Sequence, residues 1–140
     1  MTAWVNTVSR SHVLRGVEGG FTQANHGKPW ALRKMHRGDW IAFYSPRTDY
    51  PDGAPVQAFT AIGQVTDDEA YQSTVSEDFQ PWRRDVRFVD AHEAPIRPLL
   101  EDLHMVTDSR HWGYVFRRGV IEIDQHDLEL IRAAMGVTDD

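Results

Sequence analysis

Residues 19–46, GGFTQANHGKPWALRKMHRGDWIAFYSP, collect side chains suited to holding a flat, polar molecule. Two glycines, whose backbone is permissive, lead into a polar stretch with Gln23, His26 and Lys28. Trp30 follows, and an apolar run ends in Tyr44-Ser45-Pro46. An aromatic face stacks on a nucleobase for roughly 1–3 kcal/mol. A cation meets a phosphate or a base edge, and an amide offers both donors and acceptors. The same residue types recur in Asn6 and Ser9 near the N-terminus, in Gln72, and in Trp82-Arg83-Arg84. Each has an ordinary alternative: a tryptophan such as Trp30, Trp82 or Trp112 packs in a core, a cation is solvated, and an amide caps a turn. Trp40, inside the apolar run, reads as core, and Trp4 fits either role.

Templates for bond-making chemistry are missing. There is no G-x-S-x-G elbow, H-E-x-x-H helix, phosphate-binding loop or dinucleotide fingerprint. The chain has no cysteine, which excludes disulfides, thiolate metal sites and a cysteine nucleophile. The seven histidines are scattered. His92-Glu93 is a lone pair in a Pro-rich loop, and the adjacency of Ser11 and His12 does not place one to activate the other. No catalytic residue, metal ligand or cofactor is expected, and the reading turns from catalysis to binding.

The elements that must position these residues follow from periodicity. Residues 4–8 (WVNTV) alternate and read as a strand. Ser9 or Ser11 opens a short helix that Gly19-Gly20 stops. Residues 21–28 read as loop and 29–35 as a short helix begun by Pro29. Residues 40–44 form a buried strand, 45–55 a Pro-rich loop, and 57–65 and 82–89 further strands. Residues 98–103 read as one or two helical turns and 113–123 as a hairpin or long strand. Asp124 caps a last helix with Leu128, Ile131 and Met135 on one face. The result is an α+β fold: five to six strands in a curved mixed sheet, partly closed as a barrel, with short helices around it.

With 140 residues and no linker or repeat, residues 1–140 read as a single domain. No apolar run is long enough to span a bilayer, and the N-terminus lacks a signal core. A cytoplasmic location and no membrane partner are expected. Net charge is −6, yet residues 1–50 hold seven Lys or Arg against three acids, while the remainder is strongly acidic. The basic excess therefore coincides with the candidate site, and the acidic remainder disfavours a long groove along a phosphate backbone.

The blocks WVNTVSRSHV, GFTQANHGK, LRKMHRGDWIAFYSP, QAFTAIGQV, FQPWRRDVRF, LLEDL and WGYVFRRGVIEI, in this order over almost the whole chain, resemble the EVE-domain family of the PUA-like superfamily. The resemblance implies a PUA-like fold and a non-catalytic role. It also implies a modified base of DNA or RNA held in an aromatic pocket. On that pattern Asn6 and Ser9 contact the base edge, Trp30, Tyr44 or Trp82 supply stacking walls, and Gln23, Lys28 and Arg83 meet polar edges or phosphate. His26 and Ser45 belong to the entrance loop and the strand end beside them. Net negative charge and a compact basic patch leave open a nucleotide-like small molecule, bound or turned over in the same pocket. A protein-interaction module is a third reading.

Overall fold

The structure, a computed structural model, describes residues 1–23 and 29–137. His26 and Lys28 lie outside the described residues. The elements run β1 (Ala3–Thr7), α1 (Arg10–Gly19), β2 (Phe21–Gln23), β3 (Trp40–Arg47), β4 (Pro55–Val65), β5 (Tyr71–Gln72), β6 (Trp82–Phe88), β7 (Ala94–Pro95), β8 (Val120–Ile123) and α2 (Gln125–Ala134). Short 3-10 helices cover Leu32–Lys34, Arg97–Leu99 and Ser109–Arg118. The sheet order is β2-β6-β4-β3-β1-β8, with β5 added to β6 and β7 to β4. β1 and β3 are parallel; every other pairing is antiparallel. This is the curved mixed sheet with short surrounding helices that the alternating patterns require.

Alternation along the strands supplies two buried faces. Ala3, Val5, Ala42, Tyr44, Phe59 and Ile62 pack beneath Leu128, Ile131 and Met135 of α2. Trp4, Val8, Ile41, Phe43, Val65 and Val86 face inward onto Val13 of α1 and onto Leu32 and Met35. Asn6 shares the parity of Trp4 and Val8 and is fully buried. Its Nδ2 donates to Thr22 Oγ1 at 3.1 Å and to the Gln23 carbonyl at 3.3 Å. β1 and β2 are not neighbours in the sheet. The amide therefore bridges across the curl and draws the β2 edge toward β1.

Local chemistry accounts for the helix boundaries. Gly20 adopts φ 75°, the left-handed conformation suited to a helix end, and its N–H reaches the Gly16 carbonyl. Asp124 accepts from the Asp127 N–H and caps α2 as its sequence position predicts. Ser9 stands at the N-cap position of α1 but makes no capping bond.

Several boundaries differ from expectation. Phe21–Gln23 is a strand, because β6 offers an edge that no local pattern reveals. The segment after Pro29 forms only the 3-10 helix Leu32–Lys34. Residues 113–118 are not part of a strand. They complete Ser109–Arg118, which is kinked at His111, and Gly119 at φ 80° then turns the chain into β8. Tertiary packing prevails there: Phe116 stacks on Tyr44 with ring centroids 4.1 Å apart.

Arg84 is the largest fully buried side chain. Its Nε donates to Asp67 Oδ1 at 2.6 Å, its Nη1 to the Leu32 and Met35 carbonyls at 2.7 and 2.6 Å, and its Nη2 to the Asp67 carbonyl at 3.0 Å. The dipeptide Arg83-Arg84 thus splits, and Arg84 acts as a structural tie for the 32–35 turn.

Candidate functional site

An open cleft of about 490 Å³ lies where β1 and β3 end. One side is the exit of β1 into α1, with Thr7, Val8, Ser9 and then His12. Gln23, the last residue of β2, adds an amide. Pro46 and Arg47 at the end of the neighbouring β3, then Asp49 and Tyr50, continue the lining, and Phe79, Phe116 and Arg117 complete it. The β3–β4 register shifts between Phe43 and Tyr44 and again between Ser45 and Arg47. Such irregularities re-aim side chains at a strand end. Tyr50 is 85% exposed and Phe79 41%, so two rings are available to a ligand, while Phe116 is buried.

The polar lining is held from behind. Gln23 pairs with Arg83 in the β2–β6 ladder. Arg83 Nε donates to Gln23 Oε1 at 3.0 Å, Nη1 donates to Ser73 Oγ at 3.0 Å, and the guanidinium lies 3.8 Å from the centroid of the Phe21 ring. Beneath the cleft, a void of about 10 Å³ shares Val8, His12 and Gln23 with it and is also lined by Asn6 and Gly16. Asn6 Oδ1 and Thr7 Oγ1 are buried and find no hydrogen-bond partner among the described residues. Burial, then Arg15 and Arg83, lower the His12 pKa below its ordinary 6.5, which favours the neutral ring at neutral pH. A neutral imidazole donates at one nitrogen and accepts at the other. The lining therefore combines hydroxyl, amide and imidazole groups with two exposed rings, two cations, Arg47 and Arg117, and one carboxylate, Asp49. That set can pair with the edge of a flat polar ring, cover its face and meet an attached phosphate.

An EVE domain family model matches residues 2–134, nearly the whole chain. The chain belongs to the EVE-domain family. A UPF0310 protein of Mycolicibacterium vanbaalenii is 70% identical to this EVE chain over 135 residues, which is 96% of this chain and 93% of that one. Among solved structures, the YTH domain of the Zygosaccharomyces rouxii MRB1 protein, in complex with N6-methyladenosine RNA, matches with a TM-score of 0.64. It is 13% identical, with 98% of this chain and 88% of that one covered. Human THYN1 protein, in complex with 5-methylcytosine-containing DNA, matches with a TM-score of 0.55 at 14% identity, over 95% of this chain and 96% of that one. The EVE chain shares the PUA-like fold of these domains.

Within this EVE fold the residues singled out from sequence separate into groups. Ser9 and Gln23 line the cleft. Asn6 lies in the void beneath, and Arg83 holds Gln23 without lining the cleft. Tyr44 and Ser45 are sealed in the interior, at 2% and 0% exposure, rather than at the strand end. Tyr44 backs Phe116, Ser45 Oγ pairs with Thr60 Oγ1 at 2.8 Å, and burial pushes the Tyr44 phenol up to about 12. Trp30 is 69% exposed and does not line the cleft. Trp82 is half-buried against the inner core with Arg33 5.1 Å over its ring, also away from the cleft. Trp40 is half-buried at the core margin under Arg132, and Trp4 is core.

His12, Arg47, Tyr50, Phe79 and Arg117 are among the cleft residues that sequence reasoning missed. Arg47 and Tyr50 sit in the Pro-rich stretch 45–55, where an exposed aromatic and a cation beside a strand end are the available signal. Arg117 is hidden by the reading of 113–123 as strand.

Proposed function

We propose that this EVE protein is a non-catalytic binding module that takes a modified nucleobase of DNA or RNA into the cleft between Ser9, His12, Gln23, Tyr50 and Phe79. The cleft itself carries the reading. Its volume of about 490 Å³ falls within the roughly 300–1,000 Å³ typical of small-ligand sites. The fold it shares with two domains described with methylated RNA and methylated DNA supports the same reading. A base drawn from a stack or duplex costs a few kcal/mol, offset by aromatic contact and by hydrogen bonds inside the cleft. Ser9, His12 and Gln23 read the edge, and Tyr50 and Phe79 cover the faces. A buried methyl group adds about 0.8 kcal/mol, so discrimination also needs a mismatch with the unmodified base.

A panel of short oligonucleotides that differ only in one methyl group, measured by fluorescence anisotropy, tests this. At least one methylated member should bind more tightly than its unmodified partner. Equal affinities throughout the panel would refute it. The net charge of −6 and the presence of two cations on the cleft favour a second reading, a free nucleotide-like molecule. Salt separates the two: a polymer held through several phosphates weakens steeply with ionic strength, and a single free nucleotide, with its few phosphate contacts, far less.

A further inference from the structure

Away from the cleft, His104, Asp124, His126 and Asp127 bring one candidate ligand atom each to within 4.8 Å of one another. The start of α2 aims both carboxylates. Asp124 Oδ1 accepts the Asp127 N–H at 2.8 Å. Asp127 is 1% exposed, and its two oxygens accept the backbone N–H groups of His104 and Met105 at 2.7 and 2.8 Å. Each carboxylate also meets an imidazole: His104 Nδ1 lies 2.8 Å from Asp124 Oδ2, and His126 Nδ1 lies 3.1 Å from Asp127 Oδ1. The two rings stack with centroids 3.7 Å apart and planes 8° from parallel.

We propose that these four side chains form a binding site for a transition-metal dication of the zinc class. Zinc bonds of about 2.0–2.2 Å in tetrahedral geometry put ligand atoms roughly 3.3 Å apart. The two nitrogen–oxygen separations are slightly shorter than that and the cluster limit of 4.8 Å is longer, so ligand atoms must move by about 1 Å, and the two stacked rings must rotate out of their parallel arrangement so that both nitrogens aim at one ion. Imidazole nitrogen with carboxylate oxygen suits zinc, whereas magnesium and calcium favour oxygen alone. Two carboxylates match the charge of one dication. On binding, the ion replaces the proton on each Nδ1. A neutral ring shifts that proton to Nε2, and a doubly protonated ring releases it to solvent while keeping the one on Nε2. The histidine side chains are 60% and 45% exposed, which leaves the site open to entry. A bound ion would clamp the segment around His104 to α2. None of the four residues lines the cleft, so this inference stands apart from the reading of that site.

The test is a calorimetric titration of the metal-stripped full chain with Zn²⁺, with Co²⁺ as a visible-absorption probe. One Zn²⁺ should bind per chain, the thermal midpoint should rise with Zn²⁺, and Co²⁺ should give a tetrahedral spectrum. The double variant His104→Gln/His126→Gln keeps both helix-capping carboxylates. It should lose at least about tenfold in Zn²⁺ affinity, with an unchanged far-ultraviolet circular dichroism spectrum. Absence of saturable Zn²⁺ binding to the wild type overturns the proposal, as does undiminished binding by a folded double variant. If the double variant does not fold, ring-nitrogen NMR of the wild type decides. Nδ1 of His104 and His126 must shift on Zn²⁺ addition, and shifts confined to other histidines overturn the proposal.

Discussion

The Asn6 side chain donates to the backbone carbonyl of Gln23 at 3.3 Å, joining two strands that do not pair in the sheet. This contact sets the distance between the end of β1, which carries Ser9 toward the cleft, and the end of β2, which carries Gln23. Asn6→Ala should lower stability by about 1–3 kcal/mol, because it strands a buried carbonyl. Asn6→Asp should cost more, since it sets a carboxylate against that carbonyl. Urea denaturation measures both. The reverse order would mean that the amide tie is not what holds the curl.

Gly16 lies in α1 where a Cβ would come 2.5 Å from the Phe21 carbonyl oxygen. Gly→Ala in a helix interior is ordinarily stabilising by up to about 1 kcal/mol. Here the clash should prevail, and Gly16→Ala should destabilise by about 1–3 kcal/mol through overpacking. It should also weaken ligand binding, because α1 carries His12. A rise in melting temperature would show that the helix is free to move off β2.

Arg83 and Arg84 are neighbours with opposite roles. Arg84→Met leaves Asp67 and two carbonyls without their donor, and about 3–5 kcal/mol of stability should be lost, as for a broken buried ion pair. Arg83→Met frees the Gln23 and Ser73 side chains and should cost little stability while lowering ligand affinity. Denaturation midpoints and binding constants for the two variants check the contrast. Equal stability losses would contradict it.

His12 provides a pH signature. Its folded pKa is lowered, chiefly by burial and then by Arg15 and Arg83. Between that value and 6.5 the unfolded chain binds more protons than the folded one, so stability rises with pH across this window and falls on acidification through it. Below the folded pKa this contribution levels off. Melting curves of wild type and His12→Gln from pH 7 downward should diverge in slope across the window, the variant being flatter. Parallel curves would refute the assignment.

How far the sequence is legible depends on the range of the interactions involved. The alternation in residues 4–8 and 57–65 and the Asp124 cap are local signals, and the strands and last helix appear close to where they point. Phe21–Gln23 becomes a strand only because β6 lies alongside it. Ser109–Arg118 is helical because Phe116 must reach Tyr44. The same division runs through the site. Ser9 and Gln23 follow from polar type beside apolar neighbours and from the family resemblance, and both line the cleft. Tyr44 looks like a wall residue in its Tyr-Ser-Pro context, yet strand parity turns it toward the core. Tyr50 and Phe79 are brought to the cleft by loop paths that periodicity does not encode. The four residues around His104 are equally invisible, because two separate segments must meet before they form a cluster.

The most direct measurement is an NMR titration of the isotope-labelled protein with the best-binding methylated nucleoside from the oligonucleotide panel. Saturable shifts concentrated on Ser9, His12, Gln23, Tyr50 and Phe79, and weaker or absent with the unmethylated nucleoside, are the predicted result. Shifts centred on another surface, or identical for both nucleosides, would contradict the assignment of this cleft to a modified base.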